Sequence, residues 1–329
     1  MPPERDHDPW RYCIAPMLDR TDRHYRCFAR LLSREVRLYS EMIVTGALLH
    51  GDPARFLAHA PEEAPLALQL GGSDPAALAA AAHLGAAAGY AEINLNVGCP
   101  SDRVQSGRIG ACLMAEPLLV AACVAAMRAA VDVPVTVKTR LGIDDRDSYE
   151  HLVDFVGIVA AAGCETFIVH ARKAWLSGLS PHENRTIPPL DHARVYRLKR
   201  DFPQLRIVLN GGIMDHAAAR TALARVDGVM VGRAAYDTPW LLADVDTEIF
   251  GGPHRQNSRR SVLEAYLEHC EAALAAGAPL RVLLAPLFGL EQGRPGARRW
   301  RRMLGELARQ GNTDPRAALR ALRTARDAA

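Results

Sequence analysis

The stretch EINLNVGCPSD, residues 92–102, reads as a strand that runs into a turn. Asn94 and Asn96 lie within the run, Gly98-Cys99-Pro100 ends it, and the proline stiffens the turn. A thiol therefore stands just past the C-terminal end of a strand. Similar short β-branched or apolar runs occur at 12–15, 36–40, 66–70, 135–138, 166–169, 207–209 and 228–231. Helical patterns fill 22–33, 75–88, 117–130, 148–162, 191–201 and 215–224, and only the 41–64 link is irregular. Strands that alternate with helices argue for parallel β/α units. Eight units over about 240 residues argue for an α/β fold closed into a (β/α)8 TIM barrel. A doubly wound open sheet is the alternative, but no G-x-G-x-x-G follows the first run.

The pattern changes after Trp240. Gly251-Gly252-Pro253 breaks the chain, and 258–276, 279–289, 295–309 and 315–327 read as helices with no strand among them. The expectation is a catalytic barrel over 1–250 followed by a small helical bundle over 251–329. A chain of 329 residues suffices for one large domain and one small one. With 49% apolar and 23% charged residues it is an ordinary globular composition. The opening MPPERDHDPWRYC has no apolar run, so no secretory signal is expected. The alanine-rich segment 76–91 reads as a surface helix, and nothing is apolar enough to span a membrane. Cysteines 13, 27, 99, 112, 123, 164 and 270 are odd in number and include no C-x-x-C pair. Neither a disulfide framework nor a zinc site is expected, a reducing cytoplasm is the natural setting, and a monomer is the default.

Charge is unevenly spread. Residues 281–329 hold eleven arginines, no lysine and four acids, a net +7 that leaves −4 for the remainder. A solvated helix face is the ordinary account of a charge run. An all-arginine choice favours a polyanion partner, because the guanidinium fork matches phosphate.

In a barrel, chemistry gathers at the C-terminal strand ends. Taken in order, those ends offer Pro16-Met17, Gln69, Asn94-Asn96-Cys99, Lys138 with Arg140, His170 with Arg172, Asn210-Gly211-Gly212 and Gly232-Arg233. Singly, a Gly pair is a turn, a terminal Lys is surface and a His is a satisfied core residue. Polar residues at so many strand ends point instead to one pocket. The loops after strands seven and eight commonly bind phosphate, and Gly211, Gly212 and Gly232 let backbone N–H groups approach an anion. Lys138 and His170 beside an electron-accepting ring would stabilise its reduced form. Gln69 and Asn94 suit the alternating polar edge of a flavin or a uracil.

The set APM (15–17), LQLGG (68–72), INLNVGCPSDRVQSGRIGACLM (93–114), VKTRLGIDD (137–145), VHARKAWLSGLSPHENRTIPPL (169–190), LNGGI (209–213) and VMVGRAAYDTPW (229–240) resembles the tRNA-dihydrouridine synthases, closest to their bacterial A subfamily. GRPGARRWRRML (293–304) carries the resemblance into the tail. It implies an FMN-binding barrel, a helical tRNA-binding domain, NADPH as electron source, and reduction of uridines 20 and 20a of the tRNA D-loop, with tRNA gripped at D-loop and elbow. It also implies roles. Pro16, Met17 and Leu18 would lie against the flavin, with Gln69 and Lys138 at its ring and ribityl region. His170 would lie near the flavin and its phosphate end, and Asn210, Gly211, Gly212, Gly232 and Arg233 would hold the phosphate side. Cys99 would be the proton donor and Asn96 would sit beside the flipped uridine. His182, Arg185, Arg298 and Arg301 would meet tRNA. Thr139 and Ile109 stand where close relatives are expected to have His or an aromatic residue, with no role attached to either.

On that reading hydride adds at C6 of the uracil, charge develops at C5 and O4, and a proton reaches C5 from the opposite face. An ordinary thiol, with a pKa of about 8.5, is protonated near neutrality and can give that proton. The base must first leave its stack. Two rivals remain. One is an FMN barrel acting on a free pyrimidine, of the dihydroorotate dehydrogenase type. The other is an RNA-binding scaffold without turnover.

Overall fold

The alternation in the sequence becomes a ring of strands inside a ring of helices. The structure is a computed structural model describing residues 8–101, 104, 107–253, 257–310 and 315–325. Its strands are β1 (Tyr12–Ile14), β2 (Leu38–Val44), β3 (Leu66–Gly71), β4 (Glu92–Val97), β5 (Val135–Arg140), β6 (Thr166–His170), β7 (Arg206–Asn210) and β8 (Gly228–Val231). All pair in parallel, in the order β1-β8-β7-β6-β5-β4-β3-β2. The last seam, between β1 and β2, is shut by one residue. Ile14 N donates to Arg37 O at 2.9 Å, and Arg37 N donates to Tyr12 O at 3.0 Å. This is the (β/α)8 barrel expected from the sequence.

Helices Arg23–Leu32, Pro75–Ala87, Pro117–Ala130, Tyr149–Ala161, His192–Asp201 and His216–Leu223 coincide with the expected ones to within a residue or two. Their starts are chemically marked. Asp22, Asp74, Ser148, Asp191 and Asp215 each accept a backbone N–H from the first turn that follows, a cap worth about 1 kcal/mol. The irregular 41–64 link holds two short helices, Thr45–His50 and Pro53–Leu57, and a 3-10 turn at Pro61–Glu63.

Five strands, β3 to β7, run one or two residues beyond the sequence expectation. The extra positions include Arg140, His170 and Asn210, polar residues at the strand ends that still pair in the ring. β2 is displaced instead. It starts at Leu38 and slips register against β3 between Tyr39 and Met42, around the charged Glu41.

The core has two parts. One is the annulus between strands and helices, which continues into the tail through Tyr266, Leu267, Trp300, Leu304 and Leu319. The rings of Phe28 and Tyr266 meet edge to face at 5.1 Å. The other lies inside the ring, where Cys13, Ala15, Tyr39, Ala67, Ile168, Val208 and Met230 pack with Trp10 at the floor. After residue 250 the chain forms Arg259–Ala275, Leu280–Leu284 with a 3-10 turn at Ala285–Gly289, Ala297–Gln310 and Pro315–Ala325. The last two positions of the helix expected over 315–327, like the N-terminal residues 1–7, lie outside the described residues. Among the described residues no helix is long and apolar enough to cross a membrane, and no cluster of three or more His, Cys, Asp or Glu could hold a metal ion. The seven cysteines are free thiols.

Candidate active site

Pairing register lines up the residues singled out in the sequence at one end of the barrel. Gln69 lies beside Asn94, Asn96 beside Lys138, Arg140 beside His170, and His170 beside Asn210. Lys138 Nζ donates to Asn210 Oδ1 at 3.0 Å, and Asn210 Nδ2 donates to Met230 O at 2.8 Å, so β5, β7 and β8 are tied at the pocket. Burial, then the charge of Arg140, lowers the Lys138 pKa to about 7. Burial, followed by Arg140, Lys138, Arg172 and Arg185, pushes the His170 ring well below its ordinary value, so it is neutral.

Cys99 sits beyond β4 in a turn whose backbone is fixed at both ends. Its N–H donates to Asn96 Oδ1 at 2.9 Å, and its carbonyl accepts from Ala111 N at 2.9 Å. Gly98 N donates to the same Asn96 oxygen at 3.1 Å. The sulfur lies 3.6 Å from Ser101 Oγ. Gly110, at φ +80°, makes room for this turn: a Cβ there would stand 2.5 Å from the Cys99 carbonyl oxygen. Gln69 is buried, bonded through its amide to Asn94 and Asn96.

Gly211 and Gly212 follow β7 with φ of +103° and +77°. A Cβ on Gly211 would meet His170 Cδ2 at 2.7 Å, and one on Gly212 would meet Leu190 Cδ1 at 2.6 Å. Only glycine fits this cradle. Where β1 pairs with β8, Met17 Sδ and the Ala15 methyl approach Gly232, within 3.8 Å of where its Cβ would be. Met17 is buried, while Leu18 is 65% exposed at the rim. Pro16, between the buried Ala15 and Met17, is partly exposed.

Arg172, Arg185 and Arg233 gather beside this cradle. Burial and the charge of Arg233 lower both Arg172 and Arg185. Among the described residues no carboxylate pairs with any of the three; their hydrogen bonds go to carbonyl oxygens, including Arg233 Nη2 to Arg185 O at 3.1 Å. Like charges held together without counterions form a site for an anion.

Arg185 belongs to a loop that Asn184 organises. The buried Asn184 side chain donates to Trp175 O and Leu179 O and accepts from Trp175 N. Its carbonyl accepts from Arg140 Nη1 at 3.0 Å, while Arg140 Nε donates to Gly98 O at 2.9 Å. Arg140 thus ties the Cys99 turn to the loop bearing His182 and Arg185. His182 is exposed, at the start of the 3-10 turn Glu183–Arg185. Arg298 and Arg301 are exposed on Ala297–Gln310, whose Trp300 and Leu304 face inward. No hydrogen bond or ion pair among the described residues joins these two arginines to the strand ends. Sequence reasoning missed Asn184, Thr136 and Glu92, the last two buried inside the barrel. A signal for Glu92 was present: polar residues at 92, 94 and 96 alternate with apolar ones on one strand.

A closed (β/α)8 barrel with a thiol, a half-buried lysine and an anion cradle at its C-terminal strand ends defines an enzyme of the barrel class. The dihydrouridine synthase family model matches residues 13–326, and the chain belongs to that family. It is 60% identical over 297 residues to the tRNA-dihydrouridine(20/20a) synthase of Shewanella oneidensis, covering 90% of this chain and 88% of that one. The proteins of the same name from Vibrio vulnificus and Escherichia coli are 58% and 57% identical, over 91% and 95% of this chain and 91% of each of theirs.

Proposed function

We propose that this chain reduces the 5,6 double bond of uridine in the tRNA D-loop, at positions 20 and 20a, using FMN and NADPH. One observation carries the reading. In a member of the dihydrouridine synthase family, Cys99, Lys138 and His170 converge at one end of the barrel beside cations that have no carboxylate partner among the described residues.

The residues present fit FMN. Gly211, Gly212 and Gly232 with Arg233 would take its phosphate, supported by Asn210 and the neutral His170. Pro16, Met17 and Leu18 would line its face, and Lys138 and Gln69 its ring and ribityl side. When bound, FMN recharged by NADPH would supply the hydride for C6 of the uracil. Lys138, whose pKa burial lowers to about 7, gains a stabilising partner when an anionic group enters the pocket. Asn96 sits where the flipped base enters. Cys99 would give the proton to C5 from its sulfur, and its backbone is fixed at both ends of the turn that carries the thiol.

Residues 251–329 are assigned to tRNA binding. Arg298 and Arg301 on the tail, with His182 and Arg185 on the barrel, supply phosphate contacts that offset the cost of unstacking, a few kcal/mol. Such binding weakens with salt.

The test is turnover. The purified protein is examined for flavin absorbance, then given NADPH and unmodified tRNA, and dihydrouridine is mapped by mass spectrometry. Product at 20 or 20a is expected. A flavin-bearing protein that leaves tRNA unchanged but reduces a free pyrimidine would overturn the reading in favour of the dihydroorotate dehydrogenase type.

A further inference from the structure

Five buried polar side chains inside the barrel form an unbroken hydrogen-bond chain from its floor to the backbone of Cys99. At the floor, the fully buried Glu92 accepts from Trp10 Nε1 and Arg37 Nη1, each at 2.9 Å, on one oxygen. Its other oxygen accepts from Tyr39 OH at 2.8 Å and Thr136 Oγ1 at 2.5 Å. Thr136 Oγ1 accepts from Asn94 Nδ2 at 2.7 Å, and Asn94 Oδ1 from Gln69 Nε2 at 2.7 Å. Gln69 Oε1 accepts from Asn96 Nδ2 at 2.8 Å, and Asn96 Oδ1 accepts from the backbone of Gly98 and Cys99.

The chain has a direction, and donors at both ends agree on it: the backbone N–H groups of Gly98 and Cys99 at the top and Trp10 and Arg37 at the floor. A primary amide donates at one end and accepts at the other, and its shape alone favours neither orientation. The indole of Trp10 and the guanidinium of Arg37 can only donate, so Glu92 is held as an acceptor. Thr136 must then give its hydroxyl proton downward and offer a lone pair upward. Asn94 answers with its NH2, Gln69 does the same to Asn94, and Asn96 to Gln69. The Asn96 carbonyl is left facing the turn. In the reverse order Asn96 would present N–H to N–H, and the Cys99 turn would lose its anchor.

We propose that Glu92 and Thr136, acting through Asn94 and Gln69, are positioning residues for Cys99: they fix the polarity of the amide chain, and with it the turn that aims the thiol. The catalytic readout of this proposal rests on the function proposed above; the chemical readout does not.

The test compares Thr136→Val, which keeps the β-branched shape but cuts the chain, with Thr136→Ser, which restores the hydroxyl. Thr136→Ala cuts the same link if the valine variant does not fold. Two quantities are read. The first is steady-state dihydrouridine formation, with flavin reduction by NADPH followed separately. The second is the rate at which iodoacetamide alkylates Cys99 in the resting protein, scored by mass spectrometry. In Thr136→Val, kcat should fall roughly tenfold to a hundredfold. KM for tRNA and flavin reduction should hold, and Cys99 should be alkylated several-fold faster. Serine should restore both kcat and alkylation. Wild-type kcat and alkylation in the valine variant would overturn the proposal, as would a loss that serine does not rescue and that also slows flavin reduction. If wild-type protein makes no dihydrouridine, the proposed function fails, while the alkylation comparison still decides the chain.

Discussion

Cys99 combines a fixed backbone with a thiol that lies 3.6 Å from Ser101 Oγ and near the charges of Lys138, Arg140 and Arg185. That suits a donor that must give a proton at one place and be refilled. Cys99→Ala should therefore lower dihydrouridine formation by about 10²- to 10⁴-fold, the usual worth of a general acid. Flavin content and flavin reduction by NADPH should stay at wild-type levels. Normal turnover in that variant would remove Cys99 from the chemistry. Lys138 gives a second expectation at this scale. Its folded pKa is lowered to about 7, whereas an unfolded lysine keeps its proton to about pH 10.4. Between those values the unfolded chain binds more protons than the folded one, so the stability of the flavin-free protein should rise with pH across that window. Below pH 7 both states are protonated and the folded form carries the full burial penalty. Urea melts at pH 7 and pH 9.5 should show the gain, and Lys138→Met should flatten it.

At the scale of elements, the loop after β7 is the most constrained. Gly211 combines a φ of +103° with a virtual Cβ 2.7 Å from the His170 ring. Gly211→Ala should cost about 1–3 kcal/mol of stability through backbone strain and displace His170, so the variant should purify with less flavin. Equal flavin occupancy and an unchanged melting temperature would refute that. Much of this element-level architecture was legible in the sequence. Helix starts carried Asp or Ser, and strands carried short β-branched or apolar runs. What escaped were the pairing of the last strand positions and the barrel interior. Arg140, His170 and Asn210 were legible as site residues at strand ends, but not as residues that still pair in the ring. The roles of Glu92 and Thr136 depend on neighbours from other strands, 55 residues away at Arg37 and 44 residues apart from each other. Strand alternation shows that such residues face inward, but not what they meet there.

At the scale of the molecule, charge is divided between a mildly acidic barrel and an arginine-rich tail. The helix Ala297–Gln310 turns Trp300 and Leu304 inward and leaves Arg298, Arg299, Arg301 and Arg302 to solvent. Reversing Arg298 and Arg301 to Glu should weaken tRNA binding and flatten its salt dependence, by about 0.7–0.9 in the log–log slope for each phosphate that is no longer neutralised. Flavin reduction by NADPH should not change. Filter binding across a salt series separates the two effects, and an unaltered tRNA affinity would place the RNA surface elsewhere.

The parallel pairing of β1 with β8 has a consequence for the life of the chain on the ribosome. β1 is made first, yet its hydrogen-bonded neighbour β8 is made more than two hundred residues later. The ring cannot shut until Val231 has emerged, and contacts so distant in sequence form slowly. Met17 and Gly232 face each other across that same junction. A ligand touching both loops binds only the finished ring and stabilises closure by mass action. Occupancy of this pocket is therefore also a record that synthesis of the barrel was completed.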